Sequence, residues 1–219
     1  MPLNAEQLNE QRIHFARRTV QFAEAGYDRF GAPEFILDQA GGGLSGPVLD
    51  VGTGTGIAAR ALAGRGLDVV GVDRCADDLR VAAALTEDAD IAGRIRYLVA
   101  DAARLPVSDG RFGSAVAVDF LHHLDAGASV LMELLRVVRP GGLIVLADFT
   151  AAGFEMVSRI HAAEGRVHPE GPVTVDWARG FLAAAGAAEV TLASGHLHRV
   201  AVLRAPFLPS AGATSPTGC

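Results

Sequence analysis

The stretch Val48-Leu49-Asp50-Val51-Gly52-Thr53-Gly54-Thr55-Gly56 ends a short apolar run in an acid and then passes through three alternate glycines into Ile57-Ala58-Ala59-Arg60. Glycine lets the main chain approach a ligand closely, and the first turn of a following helix presents N–H groups that lack intrahelical partners. The spacing is G-x-G-x-G. A dinucleotide fingerprint, G-x-G-x-x-G, would place its third small residue at position 57, which is Ile57. A second apolar run, Val69-Val70-Gly71-Val72-Asp73, ends in an acid suited to accept both hydroxyls of a ribose. A third, Leu98-Val99-Ala100-Asp101-Ala102, ends in an acid suited to an adenine amine, and a fourth ends at Asp119.

His122 and His123 follow that fourth run. An imidazole that titrates near neutrality suits removal of a proton from a bound molecule. The competing reading is that one ring shapes the pocket while the other faces solvent. His196 and His198, two apart on an expected strand, share a face, and His161 and His168 lie in an irregular segment, which together invite a zinc reading. Polar strand positions explain the pair more simply, and no metal is expected.

These residues need elements to position them. Apolar runs at 48–51, 69–73, 95–100, 115–119 and 143–148 alternate with helical stretches at 57–63, 77–85 and 129–138. That rhythm predicts a parallel sheet with helices on both faces. Residues 188–193 and 197–204 add two strands joined at a Ser194-Gly195 turn. The expected fold is α/β, a doubly wound seven-stranded sheet, mostly parallel with an antiparallel last strand.

Ahead of the sheet, residues 4–25 read as a helix with an Asn4/Gln7 capping box and with Leu8, Phe15 and Phe22 on one face; Gly26 stops it. A short helix from Pro33 to Leu37 and a Gly41-Gly42-Gly43 hinge follow. Residues 1–40 are expected to form a lid, with Tyr27 best placed to reach the ligand. Permanent packing on the sheet, or a seam between two copies, would use the same stripe. Residues 150–187 carry a helix around Phe154–Ala163, a connection broken by Pro169 and Pro172, and a helix in which Trp177 and Phe181 are expected in the core. Residues 41–207 thus form the main domain, and 208–219 are expected to be disordered.

Composition narrows the chemistry further. The chain has 219 residues, enough for one self-sufficient core, and all nineteen of its basic Lys/Arg positions are Arg. Without Lys it can build neither a Schiff base, a P-loop lysine nor a Tyr/Lys dehydrogenase pair. A net charge of −6 argues against a nucleic-acid partner. Cys75 and Cys219 make no disulfide framework, and no signal peptide or membrane span is expected, which suggests a cytoplasmic setting.

Asp50-Val51-Gly52-Thr53-Gly54-Thr55-Gly56, Asp73, Asp101-Ala102 with Leu105-Pro106, and Leu135-Arg136-Val137-Val138-Arg139-Pro140-Gly141-Gly142 together resemble class I S-adenosylmethionine-dependent methyltransferases. Within that family they are similar to a small-molecule branch that includes bacterial quinone-biosynthesis C-methyltransferases. The resemblance runs from about residue 45 to 150 and implies a Rossmann-like fold with S-adenosyl-L-methionine as methyl donor, leaving S-adenosyl-L-homocysteine. It places Gly52, Thr53 and Gly54 against the carboxypropyl part, Asp50 near the ammonium, Asp73 on the ribose, Arg74 beside the adenine and Asp101 and Ala102 at its edge. Asp119 would lie near the methionine portion and the transferring methyl, beside which His122 and His123 are the catalytic candidates, and Tyr27 is the lid residue that would reach the cofactor. The chain has Asp119-Phe120-Leu121-His122 where methyltransferases of base or glutamine amines carry Asp/Asn-Pro-Pro-aromatic, so the resemblance implies a small-molecule acceptor. A nicotinamide-dependent oxidoreductase, disfavoured by Ile57 and the missing Lys, and a non-catalytic binder of the donor are the alternatives.

Overall fold

A computed structural model describes residues 3–86 and 89–207. Helix α1 (Ala5–Glu24) starts at Asn4, whose side chain accepts from the Gln7 N–H while the Gln7 side chain accepts from the Asn4 N–H. It ends at Gly26, which takes the left-handed conformation. Helix α2 (Gly31–Asp38) leads into strand β1 (Val48–Val51). Then follow α3 (Ile57–Gly64), β2 (Val69–Asp73), α4 (Ala76–Ala84), α5 (Ala89–Arg94) and β3 (Ile95–Val99). The second half runs through β4 (Phe112–Val118), a 3₁₀ turn at Leu121–His123, α6 (Ala128–Val137), β5 (Val138–Phe149), α7 (Ala151–Ala163) and α8 (Val175–Ala184). A hairpin of β6 (Ala188–Gly195) and β7 (His198–Arg204) closes the fold.

The seven strands form one sheet in the order β3-β2-β1-β4-β5-β7-β6. The pairs β1–β2, β2–β3, β1–β4 and β4–β5 are parallel, whereas β7 is antiparallel to both neighbours. Alternation along each strand divides the core between two faces. Leu49, Val51, Ala115, Ala117, Ile144 and Leu146 pack with Leu131 and Leu134 of α6 and Leu182 of α8. Val48, Val116, Val145 and Ala147 pack on the other face with Ile36, Leu37 and Leu62 of α2 and α3. Asp50 shares the parity of Val48, so it too points into the second face and is buried.

Helix α1 is held by a third apolar cluster, in which Phe22, Tyr27 and Ala32 meet Met156 and Val157 of α7. The Leu8–Phe15–Phe22 stripe is accordingly its least exposed side, while Ile13 and Val20 face outward. No helix among the described residues is long and apolar enough to cross a membrane.

The structure departs from the expectations at particular places. The hairpin turns at His196-Leu197 rather than Ser194-Gly195, and both turn residues have positive φ, 47° and 62°. A two-residue hairpin requires that conformation whatever residues supply it, and without the usual Gly the expectation fell two residues early. His196 therefore sits in the turn and does not share a strand face with His198. Trp177 is 45% exposed and stacks on Phe181 at 5.5 Å between ring centroids, so it lies at the surface and not in the core. Helix α5, absent from the expected elements, covers the start of β3. The proposed tail, 208–219, lies outside the described residues.

Ile144 is fully buried on the central strand β5. Ile144→Ala should cost about 2–5 kcal/mol in urea denaturation, because the lost contacts leave a cavity that a seven-stranded core closes poorly. A cost below about 1 kcal/mol would contradict the assigned packing.

Candidate functional site

Chain order makes the site. After β3 the chain returns to the far side of β1 to form β4, so the crossovers diverge above the carboxyl ends of β1 and β4 and leave a crevice. The loop after β1 enters it. Gly52, Gly54 and Gly56 all have positive φ, which a side chain would oppose, and a Cβ on Gly52 would overlap the Phe120 ring. Thr53 donates its hydroxyl to the Asp50 carboxylate and fixes the loop. Burial pushes the Asp50 carboxyl up to about 6, although the Thr53 hydroxyl and the Ala59 N–H favour its charged form.

Two cavities meet at this loop and share Gly52, Gly54, Asp119 and His123. One, of about 450 Å³, runs towards β2 and β3 and is lined by Asp73, Arg74, Asp101 and Ala102. Asp73 is already held there: Gly54 N–H donates to its Oδ2 at 3.0 Å and Cys75 N–H to its Oδ1 at 2.9 Å. Each oxygen keeps the capacity to accept a further hydrogen bond. The other cavity, of about 280 Å³, lies under α1 and α2 and is lined by Tyr27, Asp50, Thr53, His122, His161, His168 and His198, with Arg18 from α1 and Arg29 from the loop after it. All twelve site residues expected from sequence therefore line the two joined cavities.

His122 and His123 differ in their surroundings. His122 is 3% exposed, and Asp148 at the end of β5 accepts both its backbone N–H at 2.9 Å and its ring Nδ1 at 2.7 Å. Phe149 N–H donates to the same carboxylate. A carboxylate that already accepts the His122 and Phe149 N–H groups acts as an acceptor towards the ring as well, so Nδ1 is the donor of this pair. The ring's Nε2 is buried and has no hydrogen-bond partner. His123 packs against His122 at 4.0 Å between centroids but is exposed, and burial of its inner edge together with His122 lowers its pKa.

Sequence reasoning missed two partnerships. His198 is fully buried, donates Nδ1–H to the His196 carbonyl at 2.7 Å, and bonds Asp119 Oδ1 through Nε2 at 2.8 Å. Burial opposes its charge, but the Asp119 carboxylate and the carbonyl outweigh burial and raise its pKa. Asp119 itself has φ 53°, so the pair fixes a carboxylate on strained backbone. The other missed partner is Asp148, whose place at the end of an apolar run gave the same signal as Asp50 and Asp73. His161 and His168 are held neutral, both pushed down to about 4, first by burial and then by Arg18 and by His122 respectively. Among the described residues no group of three or more His, Cys, Asp or Glu side chains is arranged to hold a metal ion.

The methyltransferase-domain family matches residues 49–146, from β1 to the middle of β5. The chain is 36% identical over 102 residues to an O-methyltransferase of Aspergillus sclerotiorum, covering 46% of this chain and 39% of that protein. It is 35% identical over 120 residues to a demethylmenaquinone methyltransferase of Renibacterium salmoninarum, covering 54% and 48%. The chain thus spans about half the length or less of these relatives. A solved structure of a Pyrococcus horikoshii protein superposes with a TM-score of 0.67 at 19% identity, covering 81% of this chain and 90% of that one. An S-adenosylmethionine-dependent methyltransferase of Aquifex aeolicus gives 0.61 at 22%, covering 79% and 89%. These likenesses show the fold.

The raised Asp50 carboxyl has a consequence for stability. Its folded pKa of about 6 exceeds the unfolded value of 3.8, so the folded chain binds the extra proton, and stability falls as pH rises through that window. Asp50→Asn keeps an acceptor for Thr53 without the titration. Urea midpoints measured between about pH 4 and pH 7 should therefore shift in favour of Asp50→Asn as pH rises. A difference that does not vary with pH would refute the assignment.

Proposed function

We propose, on the premise that residues 49–146 form a methyltransferase domain, that the chain transfers a methyl group from S-adenosylmethionine to a small molecule that must lose a proton. The observation that carries this reading is the buried His122–Asp148 pair: His122 is among the residues lining the cavity next to the glycine loop, and its Nε2 has no hydrogen-bond partner. The donor, when bound, supplies a methyl group already activated on a sulfonium, so the protein's task is alignment and proton removal. The two joined cavities fit such a molecule in kind: an acid-lined end for a nucleoside and a narrower end for an amino-acid chain.

The chain's residues then divide the work. Asp73 accepts from ribose hydroxyls with the lone pairs its own loop leaves free, and Asp101, Ala102 and Arg74 border the base. Gly52, Thr53 and Gly54 line the amino-acid end, with Asp50 behind them fixing the loop. Asp119, locked by His198, presents a carboxylate to positive charge. His122 Nε2 takes the acceptor's proton, and Asp148 stabilises the imidazolium that results. His123 lies at the junction of the cavities and closes off the dyad from solvent. Residues 1–40 act as the roof, through Tyr27 and the α1 residues above the smaller cavity.

The matched O-methyltransferase and quinone methyltransferase support a small-molecule acceptor, as does the net charge of −6, which disfavours a nucleic-acid surface. A phenol or a similarly acidic hydroxyl is the acceptor group that a neutral imidazole deprotonates most readily.

Calorimetry with S-adenosylmethionine tests the donor, and absence of heat at millimolar ligand would end this reading. Asp73→Ala should weaken donor binding by about 1–3 kcal/mol, since it strands ribose hydroxyls; unchanged affinity would remove Asp73 from the ribose site. His122→Gln should keep donor affinity within about twofold yet lower release of S-adenosylhomocysteine by roughly 10²–10⁴-fold, with a small-molecule extract supplying the acceptor. Full turnover by that variant would show that no base is needed at this position.

A further inference from the structure

Among the described residues that line the smaller cavity, three buried side-chain nitrogens have no hydrogen-bond partner: Arg18 Nε, His122 Nε2 and His168 Nε2. Arg18 Nε lies 3.4 Å from the Glu164 carboxylate, so its charge is answered. The two imidazole nitrogens have no such partner among the described residues. The other histidines of the cavity differ. His198 is engaged at both ring nitrogens, Arg18 donates to Nε2 of His161, and His123 is exposed. His122 and His168 are also neighbours, with ring centroids 4.9 Å apart and planes inclined at 58°. The Gly171 N–H donates to the His122 carbonyl at 3.0 Å, which ties the link that carries His168 to the backbone of His122. Burial, and next the nearby His122, push the His168 pKa down to about 4, so at neutral pH its ring holds one N–H and one lone pair. An unmet polar nitrogen in a buried site is costly, and two side by side in a cavity wall mark a place where a ligand supplies both partners.

We infer that His122 and His168 form a two-point clamp for an acceptor that carries two hydroxyls on adjacent carbons of a planar ring, an ortho-dihydroxyaromatic compound. The inference rests on the methyl-transfer reading above and narrows its acceptor. Nε2 of His122 meets the reacting hydroxyl and Nε2 of His168 meets its neighbour, each over an ordinary hydrogen-bond length of about 2.7–3.2 Å. A hydroxyl both donates and accepts, so it satisfies His168 in either tautomer. Rings this close suit oxygens on adjacent carbons; oxygens at opposite corners of a ring point away from each other and meet one imidazole at a time. Phe22, Tyr27 and Phe149 line the same cavity and give a flat ring aromatic surfaces to pack on. His168 takes no proton in this scheme. It fixes which hydroxyl lies at His122.

Calorimetry on the full chain saturated with S-adenosylhomocysteine tests the clamp by binding alone. Catechol should bind about tenfold or more tightly than phenol, and than resorcinol, whose second hydroxyl sits one carbon further away. His168→Phe should bring catechol to within about twofold of phenol while leaving phenol unchanged to the same margin. His168→Asn, which keeps a polar group at the position, should restore part of the preference. Both variants are compared at equal S-adenosylhomocysteine affinity, so that the donor side is intact in each. No binding of catechol, or equal affinity for catechol, resorcinol and phenol in the unaltered chain, would overturn the clamp. A catechol preference that survives in His168→Phe would overturn it too. Absence of heat with S-adenosylhomocysteine itself would instead overturn the donor reading on which the clamp rests.

Discussion

The parallel ladder that holds β1 between β2 and β4 is the constraint on which everything else here depends. Val48 to Val51 pair with Val69 to Val72 on one side and with Ser114 to Ala117 on the other. Both neighbours being parallel, all their carboxyl ends lie at one edge, and the reversal of chain order at β1 parts the covering helices there. A break in either ladder would move the glycine loop away from Asp73 or from Asp119. The fully buried Leu49, Ala115 and Ile144 that pack these strands therefore support the site without touching it.

Electrostatics inside that crevice follow from burial. A buried charge is tolerable only when hydrogen-bonded or paired, and two acids at the edge, Asp148 and Asp119, find a histidine from a different element. Asp148 of β5 meets His122 after β4, and Asp119 after β4 meets His198 of β7. The two dyads thereby stitch β4 to the antiparallel end of the sheet. They are also opposite in kind. Both ring nitrogens of His198 are engaged, which favours the cation, whereas His122 keeps Nε2 unengaged. One histidine is engaged at both ring nitrogens in fixing a carboxylate, and the other is engaged at one.

Local pattern made much of this legible and tertiary register hid the rest. The acids Asp50, Asp73, Asp101 and Asp119 could be read because a short apolar run ending in a carboxylate is a local signal, and in a parallel sheet all such ends fall on one edge. The partnership of His198 could not be read that way. It depends on the register that sets Phe149 opposite His198 across the antiparallel β5–β7 pair, and on the positive φ that turns Asp119 towards it. The stripe Leu8, Phe15, Phe22 identified the buried side of α1 but not its partner, since an apolar stripe fits a lid, a sheet or a second copy equally. Within the chain, Phe22 and Tyr27 pack with Met156 and Val157 of α7. Trp177 went wrong for the converse reason: i, i+4 spacing shows that two rings stack, not which way they face.

The link between α7 and α8 bears on how far acceptor choice and base placement are coupled. Gly171 in that link donates its N–H to the His122 carbonyl at 3.0 Å, and a Cβ there would overlap the same oxygen. His168, three residues earlier, brings its ring to 4.9 Å from that of His122. The segment that supplies one wall of the smaller cavity is thus bonded to the backbone of the proposed base. A change in this link that reshapes the wall also shifts His122 relative to Asp148, whose two hydrogen bonds to it span backbone and ring at once. The donor end has no such tie, because Asp73 and the glycine loop brace each other directly. On the proposed reading, the acceptor side varies against a braced donor side only within the play that the Gly171–His122 hydrogen bond allows.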